Sequence, residues 1–89
     1  MRSIKIEVFG LVQGVGFRPF VYSLAKNLEL NGTVLNDSSG VKIELCGDEK
    51  NIDEFISKLK IDLPPLARID NIIISNSDKK YDDFYIMKT

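Results

Sequence analysis

Histidine is absent from this sequence, and cysteine occurs only once, at Cys46. An internal disulfide is therefore impossible, and a zinc site built from cysteine and histidine is excluded. The missing histidine also removes the commonest general base, so any catalysis must proceed without an imidazole. We interpret Cys46 as a structural or incidental thiol, because no activating partner stands beside it in the sequence.

Long apolar runs and an excess of one charge are also missing. No run of about 18 apolar residues occurs, which argues against a transmembrane helix, and residues 1–5 lack the apolar core of a signal peptide. We therefore expect a cytoplasmic protein with no membrane partner. Twelve basic and thirteen acidic residues leave a net charge of −1, which does not favour a nucleic-acid partner. The 89 residues suffice for one domain, predicted over 1–89.

Apolar periodicity divides the chain into strands and helices. Period-2 and β-branched runs predict strands at residues 4–9, 33–35, 41–46, 67–75 and 84–87. Apolar residues at helical spacing predict two helices, from Phe17 to Leu28 and from Ile52 to Leu59. Asn31-Gly32 is the expected stop of the first helix, since both residues accept the left-handed conformation.

The order βαββαβ with a terminal strand predicts an α+β, ferredoxin-like sandwich. Two helices would cover one face of an antiparallel sheet of spatial order 4-1-3-2, with a short C-terminal strand at an edge. The first and second strands would then end at the same end of the sheet, one strand apart, or roughly 9–10 Å. Arg18 and Asn36 could therefore face one small ligand.

A glycine-rich loop joins the first strand to the first helix, with glycines at 10, 14 and 16 before Arg18 and Pro19. Such a loop can point several N–H groups at one spot, and the helix adds the positive end of its dipole. Arg18 adds a fixed cation suited to phosphate or carboxylate. The plainer alternative is a tight turn with a solvated arginine, and the loop alone does not decide between them.

Two runs resemble the signatures of the acylphosphatase family. Residues 8–18, VFGLVQGVGFR, resemble the first, with core V-Q-G-V-x-F-R, and residues 32–41, GTVLNDSSGV, resemble the second, G-x-V-x-N-x-x-x-G. Thr33 departs from the pattern, which has an aromatic residue there. Pro19-Phe20 and residues 64–70 resemble the subgroup that forms the N-terminal domain of hydrogenase maturation carbamoyltransferases. Those proteins use carbamoyl phosphate to make the cyanide ligands of nickel–iron hydrogenases.

The resemblance implies an acyl-phosphate hydrolase that acts on carbamoyl phosphate with no cofactor or metal. Arg18 matches the phosphate-binding arginine, and Asn36 matches the amide that orients the attacking water. The matching phosphate cradle consists of the backbone N–H groups of Val12, Gln13, Gly14, Val15, Gly16 and Phe17.

Other polar residues near these signatures have plainer interpretations. The Gln13 side chain is expected to be exposed, and Asp37 to form a turn. Arg68 and Asp70 are expected to be surface charges on a strand.

Two alternatives stay open beside the carbamoyltransferase domain. One is a free-standing acylphosphatase of broad specificity, and the other is a non-catalytic phosphate-binding or interaction module. A ferredoxin-like fold alone cannot choose between them, but Arg18 together with Asn36 favours catalysis. The expected partners are a small acyl phosphate or carbamoyl phosphate and, if the chain is an excised domain, the other domains of a longer maturation protein.

Overall fold

The computed structural model describes residues 1–87, so the last two positions of the predicted domain 1–89 lie outside the described residues. Its elements are β1 (Arg2–Leu11), α1 (Phe17–Asn27), β2 (Asn31–Asp37), β3 (Gly40–Gly47), α2 (Glu49–Ile61), β4 (Arg68–Asn76) and β5 (Phe84–Met87). The predicted element order is confirmed. Neither helix within residues 1–87 is long and apolar enough to cross a membrane.

The five strands form one sheet in the order β4-β1-β3-β2-β5. The predicted spatial order of the first four strands is therefore confirmed. β1 pairs antiparallel with β3 and β4, and β2 pairs antiparallel with β3. The prediction of an antiparallel sheet is wrong for the terminal strand, because β5 pairs parallel with β2 and makes the sheet mixed. The ferredoxin-like class with a short edge strand is confirmed.

The path between β4 and β5 explains the parallel pairing. β4 ends beside the start of β1, where the Ser77 N–H donates to the Ser3 carbonyl at 3.0 Å. The chain then crosses this end of the sheet to the start of β2, where the Gly32 N–H donates to the Asp83 carbonyl at 2.9 Å. A strand that departs from the start of β2 must run in the same direction as β2.

Tyr81 lies in that crossing segment and reaches the position where the sequence departs from the family signature. Its hydroxyl donates to the Glu44 carboxylate, and burial together with this neighbour raises the pKa of Tyr81 above its usual value. Thr33 contacts the same hydroxyl and is only 8% exposed. A tyrosine from another segment therefore packs beside the threonine.

Both helices pack against one face of the sheet. β1 contributes the fully buried side chains Ile4, Ile6 and Val8. The buried helical side chains are Phe17, Val21, Leu24, Ala25, Ile52, Phe55 and Leu59. Burial of each large apolar side chain contributes about 1.5–3 kcal/mol. Because Phe17 opens α1 and is part of this core, the core also holds the loop that precedes α1.

α1 ends earlier than predicted. Its last residue is Asn27, and Glu29 adopts the left-handed φ of 56°. Leu30 is buried, and its N–H donates to the Ala25 carbonyl at 2.9 Å, so the chain turns inward after α1. Asn31-Gly32 consequently opens β2, and its assignment as the helix stop is wrong.

Candidate active site

The loop between β1 and α1 is anchored on both sides by buried side chains. Val12 and Phe17 are each 1% exposed, whereas Gly14 and Gly16 between them are exposed. The two glycines have φ values of 73° and 78°, in the left-handed region that favours glycine. A Cβ at either position would meet no atom of residues 1–87 within 4 Å, so the requirement for glycine is conformational. The loop therefore presents exposed backbone on a fixed base.

The first turn of α1 adds backbone donors that have no acceptor within the helix. Gly16 is the N-cap and supplies no side-chain cap, and the first turn contains no acidic residue. The first helical hydrogen bond runs from the Phe20 N–H to the Gly16 carbonyl at 3.2 Å. The N–H groups of Phe17 and Arg18 precede this bond and have no acceptor within the helix. Such a helix start attracts anions.

Arg18 lies at the second position of α1 and is half-buried. Its Nη1 lies 3.5 Å from the carbonyl oxygen of Met87, at the end of β5. The guanidinium therefore lies at the same end of the sheet as the glycine loop, and it brings a full positive charge there.

The turn between β2 and β3 is closed by Asp37. Its Oδ1 accepts hydrogen bonds from the Ser39 N–H at 2.8 Å and the Gly40 N–H at 3.0 Å. The turn role expected for Asp37 is confirmed. The Ser39 N–H, with further help from Lys42 at 3.2 Å, lowers the pKa of Asp37 below its usual value. The carboxylate is thus committed to the turn and is a poor candidate for a general base.

Asn36 precedes this turn and pairs with Val41 of β3. Its Oδ1 atom is buried, and no group within residues 1–87 donates a hydrogen bond to it. Most buried polar atoms in folded proteins have a partner, and an unmatched one costs about 1–3 kcal/mol. Because Asp37 closes the turn, Asn36 is not needed as the turn former. Its amide oxygen is an acceptor without a donor in the described protein.

Gln13 is exposed, as expected, but its carboxamide is bound by hydrogen bonds that the sequence does not predict. Its Nε2 donates to the Asp37 carbonyl at 2.7 Å and to the Gly40 carbonyl at 3.2 Å. The reason is the strand order, since β3 is the neighbour of β1 and the loop after β1 lies against the start of β3. No spacing in the sequence indicates this contact.

Arg68 and Asp70 form a two-point ion pair at the start of β4, with Nε–Oδ1 and Nη2–Oδ2 distances of 2.8 and 3.3 Å. Arg68 pairs with Leu11, so this ion pair also lies near the glycine loop. The Arg68 guanidinium lowers the pKa of Asp70. Both side chains are exposed, as expected for surface charges.

The ends of β1, β2 and β5 lie at one end of the sheet. The glycine loop, Arg18 and Asn36 follow or belong to these strand ends. β3 separates β1 from β2, so their ends are two strand spacings apart, roughly 9–10 Å. Backbone donors and a guanidinium can hold a small anion here, and the Asn36 carboxamide lies at the same end of the sheet. The fold and the site together define an α+β domain with backbone donors, one guanidinium and one buried amide oxygen at the same end of its sheet.

The chain belongs to the acylphosphatase family, because the family model described as acylphosphatase matches residues 4–86. It is 55% identical over 69 residues to carbamoyltransferase HypF2 of Cupriavidus necator, covering 78% of this chain and 9% of that protein. It is 41% identical over 88 residues to the acylphosphatase of Ligilactobacillus salivarius, covering 97% of this chain and 98% of that protein. The crystal structure of full-length HypF in the phosphate- and nucleotide-bound form matches with a TM-score of 0.94 and 46% identity. That match covers 98% of this chain and 12% of the other.

Relatives of two different lengths thus share this fold. The chain spans only 9–12% of the carbamoyltransferases that it matches, but nearly the whole length of the free-standing acylphosphatases. Both groups support an acylphosphatase-type hydrolase, and the resemblance to the family and to its carbamoyltransferase subgroup is confirmed.

Proposed function

We propose that this domain hydrolyses acyl phosphates, and carbamoyl phosphate in particular, as the N-terminal domain of a longer carbamoyltransferase that matures nickel–iron hydrogenases. The glycine loop and the start of α1 would bind the phosphoryl group. Arg18 and Asn36 would be the catalytic side chains. The other domains of the longer protein would be its partners, and the reaction would take place in the cytoplasm.

The proposed reaction needs little help from acid or base groups. An acyl phosphate is a mixed anhydride, and its leaving group is a carboxylate, or a carbamate when the substrate is carbamoyl phosphate. The water oxygen attacks phosphorus, the bond from phosphorus to the acyl oxygen breaks, and the electron pair of that bond leaves with the acyl oxygen. The water proton passes to a phosphoryl oxygen. Phosphoryl transfer of this kind depends mainly on position and electrostatics.

Each proposed group has one role in that reaction. The backbone N–H groups of residues 12–17 and the Arg18 guanidinium would neutralise the phosphoryl oxygens. The Asn36 carboxamide, which belongs to a part-exposed residue, would hydrogen-bond the attacking water and orient its lone pair toward phosphorus. An amide is too weak a base to remove the proton, which agrees with transfer to the phosphate itself.

The observation that carries this proposal is that Asn36 lies at the same end of the sheet as the glycine loop and Arg18, with its Oδ1 lacking a donor in residues 1–87. A residue kept only for the turn would use its side chain there, and Asp37 does so instead. Keeping an unmatched acceptor costs stability. Functional sites typically carry a cost of this kind, and Asn36 lies at the same end of the sheet as Arg18.

Phosphate release by the purified chain, measured with carbamoyl phosphate and with acetyl phosphate, tests the proposal. We expect both to be hydrolysed, with the higher kcat/KM for carbamoyl phosphate, and we expect Asn36→Ala to abolish most turnover of both. Equal kcat/KM values would favour a free-standing acylphosphatase of broad specificity. Phosphate binding without turnover of either substrate would contradict the hydrolase and favour a binding module.

A further inference from the structure

One side chain connects the two halves of the proposed site. Gln13 contributes its backbone to the glycine loop, and its Nε2 donates to the Asp37 carbonyl at 2.7 Å and the Gly40 carbonyl at 3.2 Å. A carboxamide nitrogen carries two N–H groups, so both are used on the β2–β3 turn. These two carbonyls belong to the residues that face each other at the mouth of that turn.

We propose that Gln13 is a positioning residue that sets the place of Asn36 relative to the phosphate cradle. This inference rests on the proposed function. Gln13 touches neither the water nor the phosphoryl group through its side chain. It acts by holding the turn that begins one residue after Asn36 against the loop that binds the phosphate.

The turn is held from two sides, which makes the Gln13 contact specific. The Asp37 carboxylate closes it from within through the Ser39 and Gly40 N–H groups. Gln13 then fixes the closed turn to the glycine loop. The internal bonds preserve the shape of the turn, whereas the Gln13 bonds decide where the turn lies. Loss of Gln13 should therefore displace Asn36 without unfolding the hairpin.

The loop itself does not depend on this contact. Val12 and Phe17 anchor it in the core, each with 1% of its surface exposed, and the Phe20 N–H to Gly16 bond begins α1 beside it. Removal of the Gln13 side chain should thus leave phosphate binding nearly intact and reduce turnover. A misplacement of a reacting group by about 1 Å can cost on the order of 100-fold in rate.

A matched control exists at the other end of β2. The Asn31 Nδ2 donates to the Tyr81 carbonyl at 3.1 Å, which is also a carboxamide bond to a backbone oxygen between distant segments. Asn31→Ala and Gln13→Ala therefore remove similar interactions, but only the second touches the proposed site. If Gln13 were merely structural, the two variants would behave alike.

The experiment measures kcat for acetyl phosphate and the inhibition constant of inorganic phosphate. We expect Gln13→Ala to lower kcat by about 10- to 100-fold, with the phosphate inhibition constant changed less than about twofold. Gln13→Glu should lose at least as much turnover, because a carboxylate cannot donate to two carbonyls. Asn31→Ala should keep the parent kcat. An unchanged kcat for Gln13→Ala, or an equal loss in both alanine variants, would overturn the inference.

A double variant separates this inference from the proposed function. In an Asn36→Ala background, Gln13→Ala should change the remaining turnover by less than about twofold, because its effect passes through Asn36. If Asn36→Ala keeps full turnover, the proposed function itself fails. If Asn36→Ala loses turnover but Gln13→Ala costs the same factor in both backgrounds, only the positioning role fails.

A readout without turnover completes the test. Phosphate is titrated into the parent and into Gln13→Ala while the backbone amide NMR signals of Gly14, Ser39 and Gly40 are followed. In the parent, phosphate should shift all three signals, because Gln13 links the loop to the turn. In Gln13→Ala, only the Gly14 shift should remain. Persistent shifts at Ser39 and Gly40 in that variant would contradict the coupling.

Discussion

Asn36→Ala should lower the activity of this domain without lowering its stability. The change removes the carboxamide proposed to orient the attacking water. Loss of one positioned polar contact in such a transition state costs on the order of 10²–10³-fold in kcat, or about 2.7–4 kcal/mol. We therefore expect carbamoyl phosphate turnover to fall by that factor, while inhibition by inorganic phosphate stays nearly unchanged.

The same substitution should leave the fold at least as stable. A buried acceptor without a donor costs about 1–3 kcal/mol, and Asn36 Oδ1 is such an acceptor within residues 1–87. Its removal relieves that cost, while the shorter side chain loses some packing. We expect the free energy of unfolding in urea to be unchanged or to rise by up to about 1 kcal/mol.

The neighbouring substitution Asp37→Ala should have the opposite effect on stability. Asp37 accepts two backbone hydrogen bonds in the turn, so this variant should be less stable than the parent. Phosphate-release assays and urea unfolding on all three proteins test both statements. Full turnover by Asn36→Ala would refute the role of the amide, and a clear loss of stability would refute the assignment of Oδ1 as an unmatched acceptor.

Three further outcomes are expected. Arg18→Ala should both weaken inhibition by phosphate and lower kcat by on the order of 10²-fold or more, with thermal unfolding within about 1 kcal/mol of the parent; phosphate inhibition equal to that of the parent would show that the glycine loop is not the site. Turnover should survive EDTA, because the proposed groups are one arginine, one amide and backbone donors, and loss of activity that magnesium restores would contradict this mechanism. The pKa of Asp37 is lowered from its ordinary value of 3.8, so its contribution to stability is present above that pH and is lost as the pH falls through the folded value. Urea unfolding at a series of pH values should show a shallower acid decline for Asp37→Asn than for the parent.

Much of the fold could be predicted because its patterns are local. The alternation of Ile4, Ile6 and Val8 matches the buried face of β1, and the helical stripes match the buried faces of α1 and α2. The element order then restricts the topology, since few arrangements bury both helices on one sheet. That order also places the glycine loop and the end of β2 at the same end of the sheet.

The errors fall where a distant contact decides the local structure. Asn31-Gly32 has the composition of a helix stop, but burial of Leu30 turns the chain earlier. The direction of β5 depends on where the segment after β4 crosses the sheet, which its polar composition does not reveal. Gln13 is exposed, as its place in the loop predicts, but its hydrogen bonds to the turn were not predicted, because only the strand order brings its carboxamide there.

The sequence by itself determined the element order, the apolar faces, the family signatures and the identity of the candidate residues, because each depends on residues close together in the chain. The tertiary structure decided which groups are free to act. It buried the Asn36 oxygen where no group within residues 1–87 donates to it, and it bound Gln13 to the hairpin. Hydrogen bonds between segments more than twenty residues apart, like the burial of one particular atom, are set only when the strands pack side by side.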